Sequence, residues 1–298
     1  MWGFLFQSLA DMGDRAGANR SSHIESARLW QSATSGVELF EARLLTHKFG
    51  KHIHDAYTVG LNETGQGQCF YRKEMHQHHP GSFNCINPGE VHTGEAISGL
   101  GWGFRNLYVS VATVEQVIAQ LDWPDNKLPK FFKMVVDDPT LQQTFYSLFH
   151  SLDDPTSQLE QQSLLLQFLS HLFSRHACVS RKQKGAGSES KAVSLVLDYL
   201  AAHCTEDVSV NDLARLVDLS PHYLIRCFGK QVGLPPHRYK HHLQLLKAKR
   251  SLHSQKPLAE IAIDNGFYDQ SHFNRAFKQT FGLPPGHYRQ VNFIQDGH

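Results

Sequence analysis

Three histidines carry the clearest chemical potential in this 298-residue chain: His52 and His54, one residue apart, and His92, which follows Asn87-Pro88-Gly89-Glu90. On a β-strand, residues i and i+2 face the same way, so His52 and His54 can converge. A turn at Pro88-Gly89 can return His92 to the same place. Three neutral imidazoles can hold Zn²⁺ or Fe²⁺ with one position open, and His76, His78 or His79 is available as a fourth ligand. The same rings, with Tyr57 beside them, can instead hydrogen-bond a small organic effector in an otherwise apolar mouth. A third reading is that they only satisfy buried backbone groups. His76-x-His78-His79 lies beside Pro80-Gly81 and reads as a solvated loop.

A second set of side chains suits a different chemistry. Arg226, Phe228, Gly233, Leu234, Pro235, Pro236 and Tyr239 recur, identical, 49 residues later as Arg275, Phe277, Gly282, Leu283, Pro284, Pro285 and Tyr288. Upstream, Asp212-Leu213-Ala214 recurs as Glu260-Ile261-Ala262 at an offset of 48, so the second copy has one extra residue in its turn. Such a repeat marks a duplicated supersecondary unit, and units this short must pack together. In the first copy, residues 212–217 predict a short helix, Ser220 an N-cap and Pro221 the first position of the next helix. Leu224, Cys227 and Phe228 form its buried stripe, and His222, Ile225, Arg226 and Lys230 point outward. In the second copy Asn265-Gly266-Phe267 is the turn and Asp269 the cap. Phe273, Ala276 and Phe277 are buried there, and Ser271, His272, Asn274, Arg275 and Lys278 face out. Such a front fits a DNA major groove, where Arg forks to guanine, Asn to adenine and Ser to either.

The elements that must position these groups differ between the two halves. Residues 37–111 predict short strands, among them 37–44, 57–61, 68–71 and 83–86, as in a small antiparallel barrel or jelly roll. Helices follow at 113–121, 141–152 and 158–176. The last carries Leu165, Leu166, Phe168, Leu169, Leu172 and Phe173, part of which is expected to cover the barrel and part to pair with a second copy. Residues 181–190, Arg-Lys-Gln-Lys-Gly-Ala-Gly-Ser-Glu-Ser, read as a flexible linker.

Net charge over the whole chain is only +1, but it is unevenly spread. Residues 190–290 hold 13 Lys+Arg against 8 Asp+Glu, whereas residues 1–178 hold 13 against 18. A basic C-terminal half can neutralise phosphates while the acidic half stays off a duplex. Five cysteines without a CxxC argue against a disulfide framework or zinc finger and for a cytoplasmic setting. Phe4-Leu5-Phe6 is too short for a signal-peptide core, and no later stretch predicts a membrane span. The expected division is 1–22 disordered, 23–178 a sensing and dimerising domain, 179–190 linker, 191–290 a DNA-binding domain and 291–298 a tail.

Across residues 191–290 the chain resembles the AraC/XylS family of bacterial transcription regulators. The residues that carry the likeness are Glu260-Ile261-Ala262, Gly266-Phe267, Asp269, Ser271, Phe273, Arg275, Phe277-Lys278, Gly282, Pro284 and Tyr288-Arg289. The resemblance implies two recognition helices held apart by a long connecting helix over 237–254, entering successive major grooves. His222, Ile225, Arg226, Ser271, His272 and Arg275 match groove- or backbone-facing positions. Residues 52–57, with Pro88 and His92, resemble the cupin-like effector domain of such regulators. Metal-binding cupins add a Glu four or five residues after the second His, where this chain has Thr58 and Val59, so an organic effector is the preferred reading. The implied protein is an α+β two-domain regulator: a cupin-like barrel or jelly roll with trailing helices, then an all-α double helix-turn-helix. Its implied partners are operator DNA, a small-molecule effector, a second copy of itself and RNA polymerase, with no catalytic residue and no resident cofactor. The alternative is a metal-dependent cupin enzyme or metal sensor, with Zn or Fe on His52, His54 and His92, joined to a DNA-binding module.

Overall fold

The computed structural model describes residues 24–32, 34, 36–97, 99, 101–121, 123–124, 127–153, 158–179 and 188–293. The expected disordered segment 1–22 and most of the expected linker lie outside these residues. Two antiparallel sheets form the N-terminal half. The larger has the order β1 (Ile24–Gln31), β2 (Val37–Leu44), β9 (Trp102–Ser110), β4 (Ala56–Gly65), β7 (Ser82–Ile86), β11 (Val135–Asp137). The smaller runs β3 (Lys48–His52), β8 (His92–Ala96), β5 (Gly67–Tyr71), β6 (Glu74–His78). They pack as a jelly-roll sandwich rather than a closed barrel. A short pair, β10 (Pro129–Phe131) with β12 (Ala177–Val179), completes the β structure.

Period-two alternation gives the large sheet two different faces. Phe40, Ala42, Leu44, Trp102, Phe104 and Tyr108 look toward the small sheet. Val37, Leu39, Tyr57, Val59, Leu61, Leu107 and Val109 look the other way, onto α1 (Val111–Ile118), α2 (Pro139–Asp153) and α3 (Gln158–His176). The latter core takes most of the α3 stripe: Leu165, Phe168, Leu169, Leu172 and Phe173 are at most 3% exposed, while Leu166 is half-buried at its edge. The sheet therefore takes the larger share of this face, and Leu166 with the exposed Leu159 is what the helix keeps at the surface for the expected contact with a second copy.

His76-x-His78-His79 is corrected too. Residues Glu74–His78 are strand β6, hairpinned to β5 through Arg72-Lys73 with Tyr71 opposite Glu74. Both turn residues have positive φ, 48° and 72°, as a two-residue type I′ turn requires. His78 is consequently buried and stacked on Trp102, with centroids 5.4 Å apart. His79 alone is solvated, beside Asp137 at 2.8 Å.

The C-terminal half is all helix: α4 (Ser188–Ala202), α5 (Val210–Leu216), α6 (Pro221–Val232), α7 (Pro236–Ser251), α8 (Leu258–Asp264), α9 (Gln270–Phe281) and α10 (Pro285–Phe293). Both expected caps form: the Ser220 hydroxyl accepts from the Tyr223 N–H, and Asp269 from that of His272. Each second helix ends in a left-handed glycine, Gly233 at φ 90° and Gly282 at φ 84°, a conformation that costs glycine little. The turns span residues 217–220 and 265–269, so the second is longer by one, as the repeat offsets predict.

Although the units repeat in sequence, they are anchored differently. Val193, Val196, Leu200, Leu213, Leu224, Cys227 and Phe228 make a core belonging to the first unit. In the second, Ile261, Phe273, Phe277, Phe281 and Tyr288 join a core continuous with Phe40, Phe104 and Tyr108 of the large sheet. Phe228 and Phe277 are both fully buried. Phe228→Ala and Phe277→Ala should each lower stability by about 3–5 kcal/mol, the usual loss for a truncated core Phe, as read by urea denaturation. Either variant with an unchanged midpoint would contradict the burial assigned to that helix.

Candidate effector cavity and nucleic-acid interface

His52 and His92 meet because β3 and β8 pair antiparallel with these two residues directly opposite. A register shift between Phe49 and His52 turns the chain there, so His54 lies just past the strand end and still reaches the others. Ring centroids are 4.2 Å apart for His52–His92, 4.9 Å for His52–His54 and 5.1 Å for His54–His92. Two contacts orient the rings: Nδ1 of His52 lies 2.7 Å from the Gly50 carbonyl oxygen, and Nδ1 of His92 lies 3.0 Å from that of Glu90. A carbonyl oxygen can only accept, so both Nδ1 atoms carry the proton and each Nε2 keeps its lone pair.

Burial pushes the His52 imidazole down to about 4, against a smaller upward pull from the Gly50 carbonyl. His54 and His92 are also held well below the ordinary 6.5, by burial first and by the neighbouring His52 second. His54 is half-buried and lines the cavity described below. All three are therefore neutral near pH 7.

The cavity beside them has a free volume of about 50 Å³. Phe40, Phe49, Trp102, Phe104 and Tyr108 supply its apolar lining, and Thr58, Asn84 and Asn106 its polar one. Gly60 makes room for the last two: a Cβ there would stand 1.8 Å from Oδ1 of Asn106. The expected fourth member, Tyr57, is absent and is corrected here. It shares a face with Val59 and Leu61, and its hydroxyl donates to the Pro129 carbonyl at 2.7 Å, on the helix side of the sheet. Thr58 takes the cavity position that Tyr57 was expected to fill. Sequence reasoning also missed Trp102, Phe104 and Tyr108, although alternation along residues 102–108 held the signal.

One side of this cavity is built by the other half of the chain. Lys249 of α7, with Thr280 and Phe281 of α9, lines it alongside the histidines. Nζ of Lys249 lies 2.6 Å from Glu38 on β2, whose second oxygen accepts from the Tyr288 hydroxyl of α10 at 2.5 Å. Arg250 pairs with Asp55 at 2.7 Å, and Lys51 donates to the Gly233 carbonyl at 3.1 Å, where α6 ends. Burial would raise the Glu38 carboxyl, but the charge and hydrogen bond of Lys249, with the Tyr288 hydroxyl, outweigh it and hold Glu38 below 4.5.

On the outer faces of α6 and α9, His222, Arg226, Lys230, Ser271, Arg275 and Lys278 are exposed, and Ile225 is 43% exposed. The Arg226 guanidinium lies over the Tyr223 ring at 4.9 Å. Two expected contacts sit further in. The half-buried His272 packs on Phe267 and His241, with centroids 5.6 and 5.7 Å away. Asn274 is half-buried, with its side-chain oxygen enclosed. Tyr268, in the turn before α9, is 89% exposed, and its place in a longer turn gave no sequence cue.

The AraC-like ligand binding domain family matches residues 34–169, and the helix-turn-helix domain family matches residues 213–291. The chain is 28% identical over 236 residues to the uncharacterized HTH-type transcriptional regulator YbfI of Bacillus subtilis (strain 168), covering 79% of this chain and 85% of that one. It is 28% identical over 272 residues to the HTH-type transcriptional activator RhaS of Pectobacterium atrosepticum, covering 86% and 93%. In fold it is similar to unsaturated fatty acid bound ToxT from Vibrio cholerae strain SCE256, with a TM-score of 0.59 at 14% identity over 88% of this chain and 97% of that one.

Lys249→Met should weaken docking of the two halves by about 3 kcal/mol, the low end for a buried pair, since the two side chains remain 12% and 17% exposed. Denaturation should then begin at lower urea or split into two transitions; one unchanged transition would show that the pair does not hold the halves together. Because folding depresses the Glu38 carboxyl, its contribution is complete above 4.5 and disappears as pH falls through the depressed value. Wild type should therefore lose stability more steeply below pH 4.5 than Glu38→Gln does, and parallel acid profiles would contradict the assignment.

Proposed function

This chain belongs to the AraC family of transcription regulators, and from that premise we propose that a small-molecule effector in the N-terminal cavity sets how the double helix-turn-helix engages its operator. The observation that carries this reading is the shared wall. Lys249, Thr280 and Phe281 of the DNA-binding half line the same cavity as His52, His54 and His92. A ligand there touches both halves at once, as a coupling between two sites requires. ToxT, similar in fold, has been solved with an unsaturated fatty acid bound, which supports a small organic ligand for this architecture.

On the DNA side, Arg226 and Arg275 are the base-reading candidates, Ser271 and His222 stand beside them, and Lys230 and Lys278 suit phosphates. Ile225 offers an apolar contact for a thymine methyl. His272 and Asn274 remain in the candidate set and must turn outward to reach a base. The regulator reading also takes two copies on adjacent sites and contact with RNA polymerase. Most of the α3 stripe is used inside the fold, so a homodimer contact there rests on its outer edge at Leu159 and Leu166. Among the described residues no helix is long and apolar enough to cross a membrane, and we place the protein in the cytoplasm.

Full-length protein, selected on genomic fragments, should bind an operator with log K falling linearly against log salt at a slope of about −0.9 per phosphate neutralised. Arg275→Ala should cost about 1–3 kcal/mol and relax preference at one base pair. Equal loss on every sequence would make Arg275 a phosphate contact instead. A metabolite that raises the melting temperature should change operator affinity, and the operator should change metabolite affinity by the same factor. Tight metabolite binding with no effect on operator affinity would refute the coupling.

A further inference from the structure

We infer that His52, His54 and His92 form a binding site for one borderline divalent transition-metal ion of the Zn²⁺ or Fe²⁺ class. The site shares the cavity assigned above to the effector. Its test reads metal content without DNA, so its failure and that of the regulator reading are separable.

Geometry is the first support. One ring nitrogen from each histidine lies within 4.8 Å of the other two. A tetrahedral ion with ligands at about 2.1 Å spaces its nitrogens roughly 3.4 Å apart, so small ring rotations close the set. The second support is orientation. The Gly50 and Glu90 carbonyls hold the Nδ1 protons of His52 and His92, which is how metal-bound imidazoles are commonly fixed, and it leaves Nε2 as the donor.

Unmet hydrogen bonding in the same cavity is the third. Oγ1 of Thr58 and Oδ1 of Asn84 are buried, have no hydrogen-bond partner among the described residues, and belong to residues lining this cavity. Buried polar atoms are rarely left so. The one open position of a tetrahedral ion takes a water, a donor of the kind such atoms lack. The free volume of about 50 Å³ admits an ion with a few waters, since one water needs roughly 10–15 Å³. Among the described residues no carboxylate joins the group, which leaves three neutral donors, a set still adequate for Zn²⁺. His78 provides an internal contrast: both its ring nitrogens are enclosed without partners, yet it stacks on Trp102 and lies outside the triad.

The test uses full-length untagged protein, stripped with a chelator, reloaded with Zn²⁺ and dialysed against metal-free buffer. Plasma spectrometry should then find about one zinc per wild-type chain, and Co²⁺ in its place should give the intense visible absorption of a four-coordinate site. His54→Ala and His92→Gln should each weaken Zn²⁺ binding at least tenfold in competition with a chromogenic chelator. His79→Ala, which changes a solvated ring outside the triad, should retain full stoichiometry. Apo variants should match apo wild type in circular dichroism and melting temperature, so that loss of metal is not loss of fold; His54, past the strand end, is the variant least able to disturb it. Substoichiometric zinc in folded wild type, or zinc that survives both triad substitutions, would overturn the inference.

Discussion

The carboxylate of Glu38 sits where the two halves of the molecule meet, and the geometry of both sites depends on it. Alternation along β2 places Glu38 on the face that carries Phe40 and Ala42, at the end of the sheet nearest α7 and α10. There the charge is out of water and must be compensated. Lys249 supplies the charge and Tyr288 a hydrogen bond. The rings of Tyr108, Phe281 and Tyr288 lie 5.1–5.8 Å from the same ammonium, so the cation is held by carboxylate and aromatic faces together. With Lys249 fixed, α7 can be a wall of the cavity as well as the spacer between two DNA-reading helices.

From this follows an asymmetry that the repeat conceals. Phe228 and Phe277 are equivalent in sequence, but only Phe277 lies in a core continuous with the sensing sheet. The first unit keeps its own core and meets the sheets at lighter points, such as the Lys51 ammonium on the Gly233 carbonyl. A cation there also complements the negative end of α6. The cavity wall is therefore continuous with the core that holds α9, whereas the buried face of α6 packs in the other core.

How much of this could be read beforehand depended on whether the signal was local. Caps, turns and the duplicated glycines are properties of a few neighbouring residues, and they appear where the sequence puts them. The convergence of His52, His54 and His92 needed one pairing, β3 with β8, and the turn at Pro88-Gly89 made it foreseeable. Tyr57 failed by one residue of parity: a strand beginning at Ala56 gives the cavity Thr58, and nothing local sets which face is inward. The β5–β6 hairpin stayed hidden because its turn uses Arg72 and Lys73, where Asn-Gly would have announced positive φ. The Glu38–Lys249 pair joins residues 211 apart, and no pattern within either segment reports the other.

A ligand can shift a conformational equilibrium only by binding one state better than the other. In the coupling proposed above the two states are docked and undocked halves, and the cavity would differ between them by definite groups. Docked, it has Lys249, Thr280 and Phe281 as well as the strands; undocked, it keeps only what the sheets provide. A ligand long enough to touch both sides gains the second set of contacts solely in the docked state, and so favours docking. One confined to the histidine end gains little from α7 or α9 and is nearly neutral, unless its charge bears on Lys249. Added positive charge works against Lys249 and loosens the latch, while an anion there competes with Glu38 for the same ammonium. The sign of the response therefore follows from the charge and reach of the occupant, and Lys249 is the residue through which both act.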